Sequence, residues 1–240
     1  MNVAIIIAGG VGTRTGQQIP KQFINVFDKP VIVYTLEKFQ KHKEIDAIEV
    51  VCLEGWEEIL RAYALQYGIA KLQWIVHGGD SSQESIFKGL LFLQDKCSPD
   101  DIVIIHDSIR PMVDTRIISS CIASCIRYGN GVTALPINEQ IFKVLDKQST
   151  DSYIPRETLR ILQTPQAYSY QEILGVYQEG FDKTKTFTSA YANTLMADLG
   201  YTLYFSAGST KNIKITTKDD IEIFRAMLKN SENGEHWDDI

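Results

Sequence analysis

Short runs of apolar, β-prone residues recur along this chain and alternate with stretches whose apolar residues repeat with the period of a helix. This alternation is typical of βαβ units, in which helices join parallel strands and cover the faces of the sheet. It predicts one α/β domain over residues 1–230. The predicted strands span residues 3–7, 48–53, 72–77, 102–106 and 132–135. The predicted helices span residues 31–40, 56–67, 82–93, 116–128, 189–199 and 218–229.

The alternation breaks after Pro136, where a polar and β-prone stretch begins. We interpret residues 137–157 as a protruding β-hairpin arm, so the predicted fold is a Rossmann-like, doubly wound, mostly parallel sheet with this arm. A two-stranded hairpin cannot bury its own apolar face, so we expect it to pack on a second copy of the chain in a homodimer. Residues 231–240 are polar and acidic, which predicts a loose C-terminal tail.

Composition narrows the possible partners. The net charge of −6 argues against nucleic acid as a partner, because binding a phosphate backbone requires a basic face. No apolar run approaches the roughly 20 residues of a membrane span, and the start lacks a secretory pattern, so we expect a cytoplasmic protein without membrane contact.

The four cysteines should be reduced. Cys121 and Cys125 lie four residues apart, and we favour helix packing over a metal site.

A glycine-rich loop follows the first predicted strand and leads to a basic residue. It contains Ala8, Gly9, Gly10, Gly12, Thr13 and Arg14 and runs on to Lys21. Glycines let backbone N–H groups approach a phosphate chain closely, and the two basic residues supply positive charge. The sequence of a P-loop is absent. The alternative is a tight turn between strand and helix that carries surface basic residues.

His106, Asp107 and Arg110 follow the apolar strand at 102–105. Asp107 lies at the carboxyl end of that strand, where it can meet a ribose hydroxyl or a metal-bound phosphate. The alternatives are that Asp107 caps the next helix and that Arg110 is structural. We expect His106 to be packed and hydrogen-bonded, because no nucleophilic Ser or Cys accompanies it.

Lys214 lies in the alternating segment 212–216, which predicts a short strand with Ile213 and Ile215 on the opposite face. A lysine placed in this way reaches into a cleft, and phosphoryl transfer needs positive charge that is already in place. The alternative is a solvated lysine on an edge strand.

Four ordered segments carry a family resemblance: AGGVGTRTG with PKQF, HDSIRP, QTPQ at residues 163–166, and NIKIT. Together they resemble the sugar-alcohol-phosphate cytidylyltransferases over residues 3 to about 229. That family includes the 2-C-methyl-D-erythritol 4-phosphate and the ribitol 5-phosphate enzymes. The resemblance implies transfer of a cytidylyl group from CTP to a polyol phosphate, with Mg²⁺ as cofactor.

The resemblance also implies roles for particular residues. Backbone groups of the glycine-rich loop would wrap the triphosphate together with Arg14 and Lys21, and Lys21 and Lys214 would stabilise the transition state. The remaining expected nucleotide contacts, which read cytosine or hold the ribose and the metal, are Gly78, Gly79, Asp80, Ser85 and Asp107. The expected acceptor contacts are Arg156, which would reach across the dimer interface, Thr164, Gln140 and Arg110.

The chain departs from the family pattern where Ser82 replaces a usual Arg and Tyr191 a usual Asp. Lys211 and the pair Glu139 and Gln140 also differ from the methylerythritol enzymes. The opening Ala-Gly-Gly and the segment from Lys29 to Phe39 favour ribitol 5-phosphate as acceptor. The alternatives are the methylerythritol 4-phosphate enzyme, a sugar-1-phosphate nucleotidyltransferase that uses UTP or dTTP, and a nucleotide-binding protein without catalysis.

Overall fold

The computed structural model describes residues 1–10, 19–184 and 191–232. The strands are β1 (Asn2–Ala8), β2 (Asn25–Val26), β3 (Lys29–Pro30), β4 (Ala47–Cys52), β5 (Leu72–His77), β6 (Ile102–Asp107), β7 (Asn130–Pro136), β8 (Ile141–Lys143), β9 (Ser152–Ile154), β10 (Arg160–Ser169) and β11 (Phe205–Ala207). The helices are α1 (Val31–Lys41), α2 (Glu57–Gln66), α3 (Ser82–Phe92), α4 (Thr115–Tyr128), α5 (Tyr170–Thr184), α6 (Ala192–Asp198) and α7 (Lys218–Glu232). Single turns of 3₁₀-helix cover Lys21–Phe23 and Arg156–Thr158.

The described strands form a seven-stranded sheet in the order β11-β7-β10-β6-β1-β4-β5. Strand β1 pairs in parallel with β4 and β6, and β10 is antiparallel to both of its neighbours. Ala8 lies opposite Cys52, and Ile7 lies opposite Asp107, so the carboxyl ends of three parallel strands meet at one edge. In open α/β sheets, ligands bind in the crevice at this edge, where the strand order reverses.

Both faces of the sheet are covered by helices, as strict alternation along β1 requires. Ala4 and Ile6 are buried on the face that α1, α2 and α4 cover. Val3 and Ile5 are buried on the other face, under α3, α5 and α6. The prediction of a doubly wound, mostly parallel sheet is therefore confirmed.

The five strands predicted between residues 3 and 135 are all present, but β10, β11 and α5 were not predicted. Strand β10 includes Gln163, Thr164, Pro165 and Gln166, and a polar stretch with a proline is atypical of a central strand. Its register against β7 shifts between Leu162 and Gln166, which allows the strand to accommodate this stretch. Helix α5 follows β10 without a break. No turn residue therefore marks in the sequence where the strand ends and the helix begins.

Helix α7 is capped by Thr217, whose Oγ1 accepts a hydrogen bond of 3.3 Å from the Asp220 N–H. Ile221 and Phe224 are buried in a satellite cluster against which Leu228 packs. The helix ends at Glu232, two residues into the predicted tail, and residues 233–240 lie outside the described residues. The predicted helix at 189–199 is α6, which begins at Ala192.

The predicted arm is a hairpin of β8 and β9, which pair antiparallel with Ile141 opposite Ile154. Phe142, Val144, Leu145 and Tyr153 are each more than half exposed. The hairpin is therefore confirmed, and its role in a dimer stays a prediction.

All four cysteines are free thiols. The Cys121 Sγ donates to the carbonyl of Gly131 at 3.1 Å, and the Cys125 Sγ donates to that of Gly129 at 3.4 Å. Burial raises the pKa of both thiols to about 12. The interpretation as helix-packing residues is confirmed. Within the described ranges, no helix combines the length and the apolar character that crossing a membrane requires.

Glu49 is a buried carboxyl group in the middle of β4. Neither of its oxygens has a hydrogen-bond partner among the described residues. A Cβ on Gly89 of α3 would lie 2.5 Å from Glu49 Oε1, so the glycine leaves room for this side chain. Burial raises the pKa of Glu49 to about 9, and the carboxyl group is therefore protonated at neutral pH.

Candidate active site

A cavity of about 460 Å³ opens at the carboxyl ends of β1, β4, β5 and β6. This is the location that the strand order predicts for a ligand. The predicted residues that line it are Ala8, Gly9, Gly10, Lys21, Gly78, Gly79, Asp80, Ser85, Asp107 and Lys214. The structure thus brings residues from five separate segments to one cavity, as the sequence predicts.

Two glycines of the cavity wall touch through their backbones. A Cβ on Gly78 would lie 3.2 Å from the Cys52 carbonyl oxygen and 3.3 Å from the Gly9 Cα. A Cβ on Gly9 would lie 3.2 Å from the Ser85 Oγ, which accepts a hydrogen bond of 2.9 Å from the Gly79 N–H. Side chains at these positions would separate the two loops. The glycines therefore keep a wall of backbone against the cavity.

The loop before α3 is fixed by its own capping contacts. Ser81 is the N-cap, and its Oγ accepts from the Glu84 N–H at 3.0 Å. The Glu84 carboxylate accepts from the Asp80 N–H at 2.9 Å. This backbone hydrogen bond, with the nearby Lys88, lowers the pKa of Glu84. The arrangement turns residues 78–80 toward the cavity at the N-terminus of a helix, where backbone N–H groups and the helix dipole favour anions.

Asp107 and Lys214 form the centre of the site. The Lys214 Nζ lies 3.1 Å from both carboxylate oxygens of Asp107, and the Arg110 Nε lies 3.2 Å from Oδ2. Burial raises the pKa of Asp107, but the opposing charges of Lys214 and Arg110 outweigh it, so the pKa lies below its ordinary value. Asp107 is therefore an ionised carboxylate. Helix α4 is capped by Asp114, so the helix-cap interpretation of Asp107 is wrong.

The segment that carries Lys214 is not a strand, which corrects the prediction for residues 212–216. The backbone is held by one ladder-like bond, from the Ile215 N–H to the Ile109 carbonyl at 2.9 Å. It is also held by the Asn212 side chain, whose Nδ2 donates to the Thr164 carbonyl at 2.8 Å. Ile215 is buried and Lys214 turns toward the cavity. Neighbouring side chains in this segment therefore point to opposite sides, as predicted, although the segment does not pair as a strand.

Lys21 is positioned by the turn of 3₁₀-helix at Lys21–Phe23. The Phe23 ring is buried and stacks on Trp56 with centroids 4.5 Å apart. Gln22 is almost fully buried, and its Nε2 donates to the carbonyls of Ala8 and Gly10 at 2.7 and 3.0 Å. Sequence reasoning missed Gln22, because a glutamine beside a lysine gives no sign of its burial.

A second cavity of about 330 Å³ adjoins the first and shares Asp107 and Lys214 with it. Arg110 and Thr164, two predicted acceptor contacts, line this cavity. The Arg110 Nη1 donates to the Asn212 carbonyl at 2.7 Å, and the Thr164 Oγ1 accepts from the Asp107 N–H at 3.0 Å. Both side chains therefore also hold the centre of the site in place, and their contacts with the acceptor stay predictions.

Tyr191 and Ser82, where the chain departs from the family pattern, line the second cavity as well. The Lys214 Nζ lies 5.9 Å from the centroid of the Tyr191 ring, a distance typical of a cation–π contact. Sequence reasoning gave these two positions no role.

Arg156 and Gln140 lie elsewhere, in a cavity of about 380 Å³ on the arm. The Arg156 side chain is 53% exposed, and its Nη1 donates to the Asn138 carbonyl at 2.9 Å. Neither residue lines the two cavities beside Asp107. Their predicted contact with the acceptor of a partner protomer stays a prediction. Arg14, Gly12 and Thr13 lie outside the described residues.

His106 is fully buried beneath the site, as predicted. Its Nε2 lies 3.2 Å from the Arg110 carbonyl oxygen, and its ring lies 5.0 Å from that of Phe39. Burial lowers the pKa of His106 to about 3. The imidazole is therefore neutral and packed, as expected for a residue that does not act as a base.

Comparison with known proteins agrees with this geometry. The model of the IspD family, described as 2-C-methyl-D-erythritol 4-phosphate cytidylyltransferase, matches residues 2–230. The chain belongs to the IspD family. It is a nucleotidyltransferase, because its relatives in this family are cytidylyltransferases.

Its relatives in the IspD family carry two different names. The chain is 50% identical to the ribitol-5-phosphate cytidylyltransferase of Lacticaseibacillus paracasei, over 97% of this chain and 100% of that protein. It is 37% identical to the protein of that name from Vibrio parahaemolyticus, over 97% and 98%. It is 34% identical to a 2-C-methyl-D-erythritol 4-phosphate cytidylyltransferase of Clostridium botulinum, over 95% and 97%.

Solved structures of the family share the fold. The 4-diphosphocytidyl-2C-methyl-D-erythritol synthase of Anaerococcus prevotii superposes with a TM-score of 0.81 at 26% identity, covering 95% of this chain and 96% of that one. The Francisella tularensis 2-C-methyl-D-erythritol 4-phosphate cytidylyltransferase gives a TM-score of 0.76 at 25% identity, covering 95% and 100%. The IspD fold is therefore shared along nearly the whole chain.

Proposed function

We propose that this chain is a ribitol-5-phosphate cytidylyltransferase, which forms CDP-ribitol and pyrophosphate from CTP and ribitol 5-phosphate. The observation that carries the proposal is that two cavities meet at Asp107 and Lys214, one walled by glycine backbone and the other by side chains. Such a pair suits two substrates that react where the cavities join. The choice of ribitol rests on the 50% identity to a protein of that name, against 34% to a methylerythritol enzyme.

In the proposed reaction, a phosphate oxygen of ribitol 5-phosphate attacks the α-phosphorus of CTP. A bond forms between that oxygen and the α-phosphorus, and the bond to the oxygen that bridges the α- and β-phosphates breaks. Pyrophosphate leaves with the bridging oxygen. The attacking phosphate is already anionic at neutral pH, so the reaction requires neither an enzyme nucleophile nor a strong base. The neutral, buried His106 is consistent with this chemistry.

The chain's contribution is positive charge and fixed geometry around the α-phosphate. Lys21 and Lys214 enter the first cavity from different segments and would stabilise the negative charge that develops in the transition state. The ion pair with Asp107 holds the Lys214 ammonium group at the junction of the cavities before substrate binds. Gly78, Gly79 and Asp80 would contact the cytosine, mainly through backbone groups.

Mg²⁺ is the cofactor we propose, and Asp107 is the residue that would hold it. Magnesium is commonly bound through one or two carboxylates together with substrate phosphates, so a single carboxylate in this cavity fits. Among the described residues, Lys214 is the one hydrogen-bond donor to Asp107 Oδ1, and a carboxylate oxygen can accept from a second partner. When bound, the ion would neutralise charge on the departing pyrophosphate. In the described part of the chain, no cluster of three metal-binding side chains offers another site.

We also propose a homodimer in which the arm of one protomer completes the acceptor site of the other. The apolar side chains of the arm are exposed, and Arg156 lies beside them on the same hairpin. An arginine that reaches the second cavity of a partner would bind the acceptor's phosphate.

The free cysteines suit a reducing compartment, and we propose that the enzyme works in the cytoplasm. CDP-ribitol would serve there as a donor for teichoic acid or polysaccharide synthesis.

A pyrophosphate-release assay tests the reaction and the acceptor together. The purified chain with Mg²⁺ is given CTP or UTP, and ribitol 5-phosphate, methylerythritol 4-phosphate or glucose 1-phosphate. We expect CTP with ribitol 5-phosphate to give the highest kcat/KM, about 10- to 200-fold above methylerythritol 4-phosphate, because the two acceptors differ by small groups. Preference for methylerythritol 4-phosphate would overturn the acceptor, and preference for UTP with glucose 1-phosphate would overturn the reaction. A chain with both Lys21→Ala and Lys214→Ala controls for contaminating activity.

A further inference from the structure

Gln22 is a polar side chain buried in the wall of the nucleotide cavity, with 1% of its surface exposed. Its carboxamide nitrogen donates to the Ala8 carbonyl at 2.7 Å and to the Gly10 carbonyl at 3.0 Å. A carboxamide nitrogen has two hydrogens, so both are used. Gln22 therefore joins the two carbonyls that flank Gly9 to a segment that lies 14 and 12 residues further along the chain.

These bonds fix the direction of the peptide that links Ala8 to Gly9. The Ala8 carbonyl also accepts from the Leu53 N–H at 3.2 Å, so it is held from two sides. In a planar trans peptide the N–H points opposite to the C=O. The Gly9 N–H is therefore turned away from Gln22, on a residue that lines the cavity. Backbone N–H groups oriented in this way are suited to bind phosphate oxygens.

The same bonds fix the loop relative to Lys21, the residue before Gln22. The Phe23 N–H donates to the Pro20 carbonyl at 2.8 Å, which closes the turn, and the Phe23 ring stacks on Trp56. The two residues that follow Lys21 are thus both anchored, Gln22 on the glycine loop through its carboxamide and Phe23 in the core through its ring.

We propose that Gln22 is a positioning residue for the phosphate chain of the nucleotide: it holds the Gly9 N–H group and Lys21 at a fixed separation. This inference rests on the proposed function, since it assumes that a nucleoside triphosphate occupies the cavity. Gln22 itself does not touch the reacting atoms. A buried glutamine with a purely structural role would affect stability and leave the constants for CTP unchanged.

The test replaces Gln22 by methionine, which keeps the unbranched shape and removes both donors. The measurements are the Kd of CTP by calorimetry, without acceptor, and then kcat and the KM of each substrate. We expect the Kd of CTP to rise about tenfold and kcat to fall about tenfold, because catalytic groups are slightly misplaced. The acceptor KM should not change. Gln40→Met is the matched control: Gln40 accepts one backbone hydrogen bond, from the Lys71 N–H, and lines neither cavity.

A second variant, Gln22→Glu, separates hydrogen-bond donation from shape and serves if the methionine variant does not fold. An ionised carboxylate cannot donate to the two carbonyls, whereas the protonated acid can donate to one of them. CTP affinity relative to the wild type should therefore rise as the pH falls from about 8 to about 6, because burial raises the pKa of such a carboxyl group. For Gln22→Met, the CTP affinity relative to the wild type should not change with pH.

The outcomes distinguish this inference from the proposed function. If the wild-type chain does not bind CTP, the proposed function is wrong, and the inference is wrong with it. If the wild type binds CTP and both variants bind it within twofold of the wild type at every pH, only the inference is overturned. A rise in the acceptor KM equal to that for CTP would also overturn it, because the effect would then not be confined to the nucleotide.

Discussion

The two cavities that meet at Asp107 and Lys214 are built in different ways. The wall of the first includes four glycines, at the ends of β1 and β5, and the N-terminus of α3. The second is walled by the side chains of Arg110, Thr164 and Tyr191, which come from three distant parts of the chain. A wall of glycine backbone admits few residue types at its positions, because a Cβ there would meet neighbouring backbone atoms. A wall of side chains changes its shape and chemistry with each substitution. In the proposed function, the first cavity holds CTP and the second holds the acceptor, so the difference predicts that substitutions in the second cavity change the choice of acceptor.

Loss of a lysine should give the largest effect and should separate the two cavities. We expect Lys21→Ala and Lys214→Ala each to lower kcat by about a hundredfold or more, because each removes a charge that stabilises the transition state. Lys21 lines the first cavity but not the second, so its loss should leave the acceptor KM unchanged. Lys214 lines both cavities, so its loss should also change the acceptor KM. Steady-state kinetics with each substrate varied will measure this, with the exposed Lys43→Ala as control. Turnover within fivefold of the wild type would remove that lysine from the mechanism.

Arg156 tests whether the second cavity is completed by a partner. We expect Arg156→Ala to raise the acceptor KM about 10- to 100-fold, the loss of a charge-assisted hydrogen bond, and to leave the KM of CTP unchanged. With the acceptor far below its KM, coexpression of Arg156→Ala chains with Lys21→Ala chains should restore about a quarter of wild-type activity, because about half of the dimers are mixed and each has one complete site. Absence of such restoration would indicate that Arg156 does not act across an interface.

Gly78→Ala tests the backbone wall. The added Cβ would meet the Cys52 carbonyl and the Gly9 Cα, two backbone atoms that cannot move aside without displacing a loop. We expect the KM of CTP to rise about tenfold with the acceptor KM unchanged, because the loop is misplaced by a fraction of an ångström. Gly175→Ala on α5 is the control, since a Cβ there meets nothing within 4 Å. An equal change in both KM values would break the division between the cavities.

Tyr191 tests the wall of side chains, and the effect should be small. We expect Tyr191→Leu to lower kcat/KM for the acceptor about two- to fivefold, since a cation–π contact at an exposed site contributes about 0.5–1 kcal/mol. Tyr191→Phe keeps the ring and should stay within twofold of the wild type. If the phenylalanine variant is as impaired as the leucine variant, the hydroxyl group matters and the ring contact with Lys214 does not.

The sequence predicted the first cavity better than the second for a physical reason. The glycine-rich loop and Gly78–Asp80 follow strands and Asp107 ends one, and parallel strands bring their carboxyl ends together. The second cavity depends on β10, whose polar residues and proline conceal the strand, and on Tyr191, which no local pattern marks. Lys214 was assigned to a strand that does not form, yet its alternation with Ile213 and Ile215 still predicted that it faces the cavity. Burial of Gln22 depends on contacts between segments, and these are not visible in a local pattern.

Glu49 links the folding of this chain to the uptake of a proton. Its pKa is about 9 in the folded chain and about 4.5 in an unfolded one, so the folded state retains a proton that the unfolded state releases. The contribution of Glu49 to the free energy of unfolding is therefore most favourable below pH 4.5. It becomes less favourable as the pH rises toward 9. Glu49→Gln cannot ionise, and its free energy of unfolding should exceed that of the wild type at pH 8 by on the order of a few kcal/mol.

Urea denaturation at pH 5 and pH 8 measures this difference, with Glu58→Gln, whose side chain is 91% exposed, as the control. An advantage of the Glu49→Gln variant that does not grow with pH would contradict the assignment. The acidity of the medium would then change the stability of the chain through a strand whose residues line neither cavity.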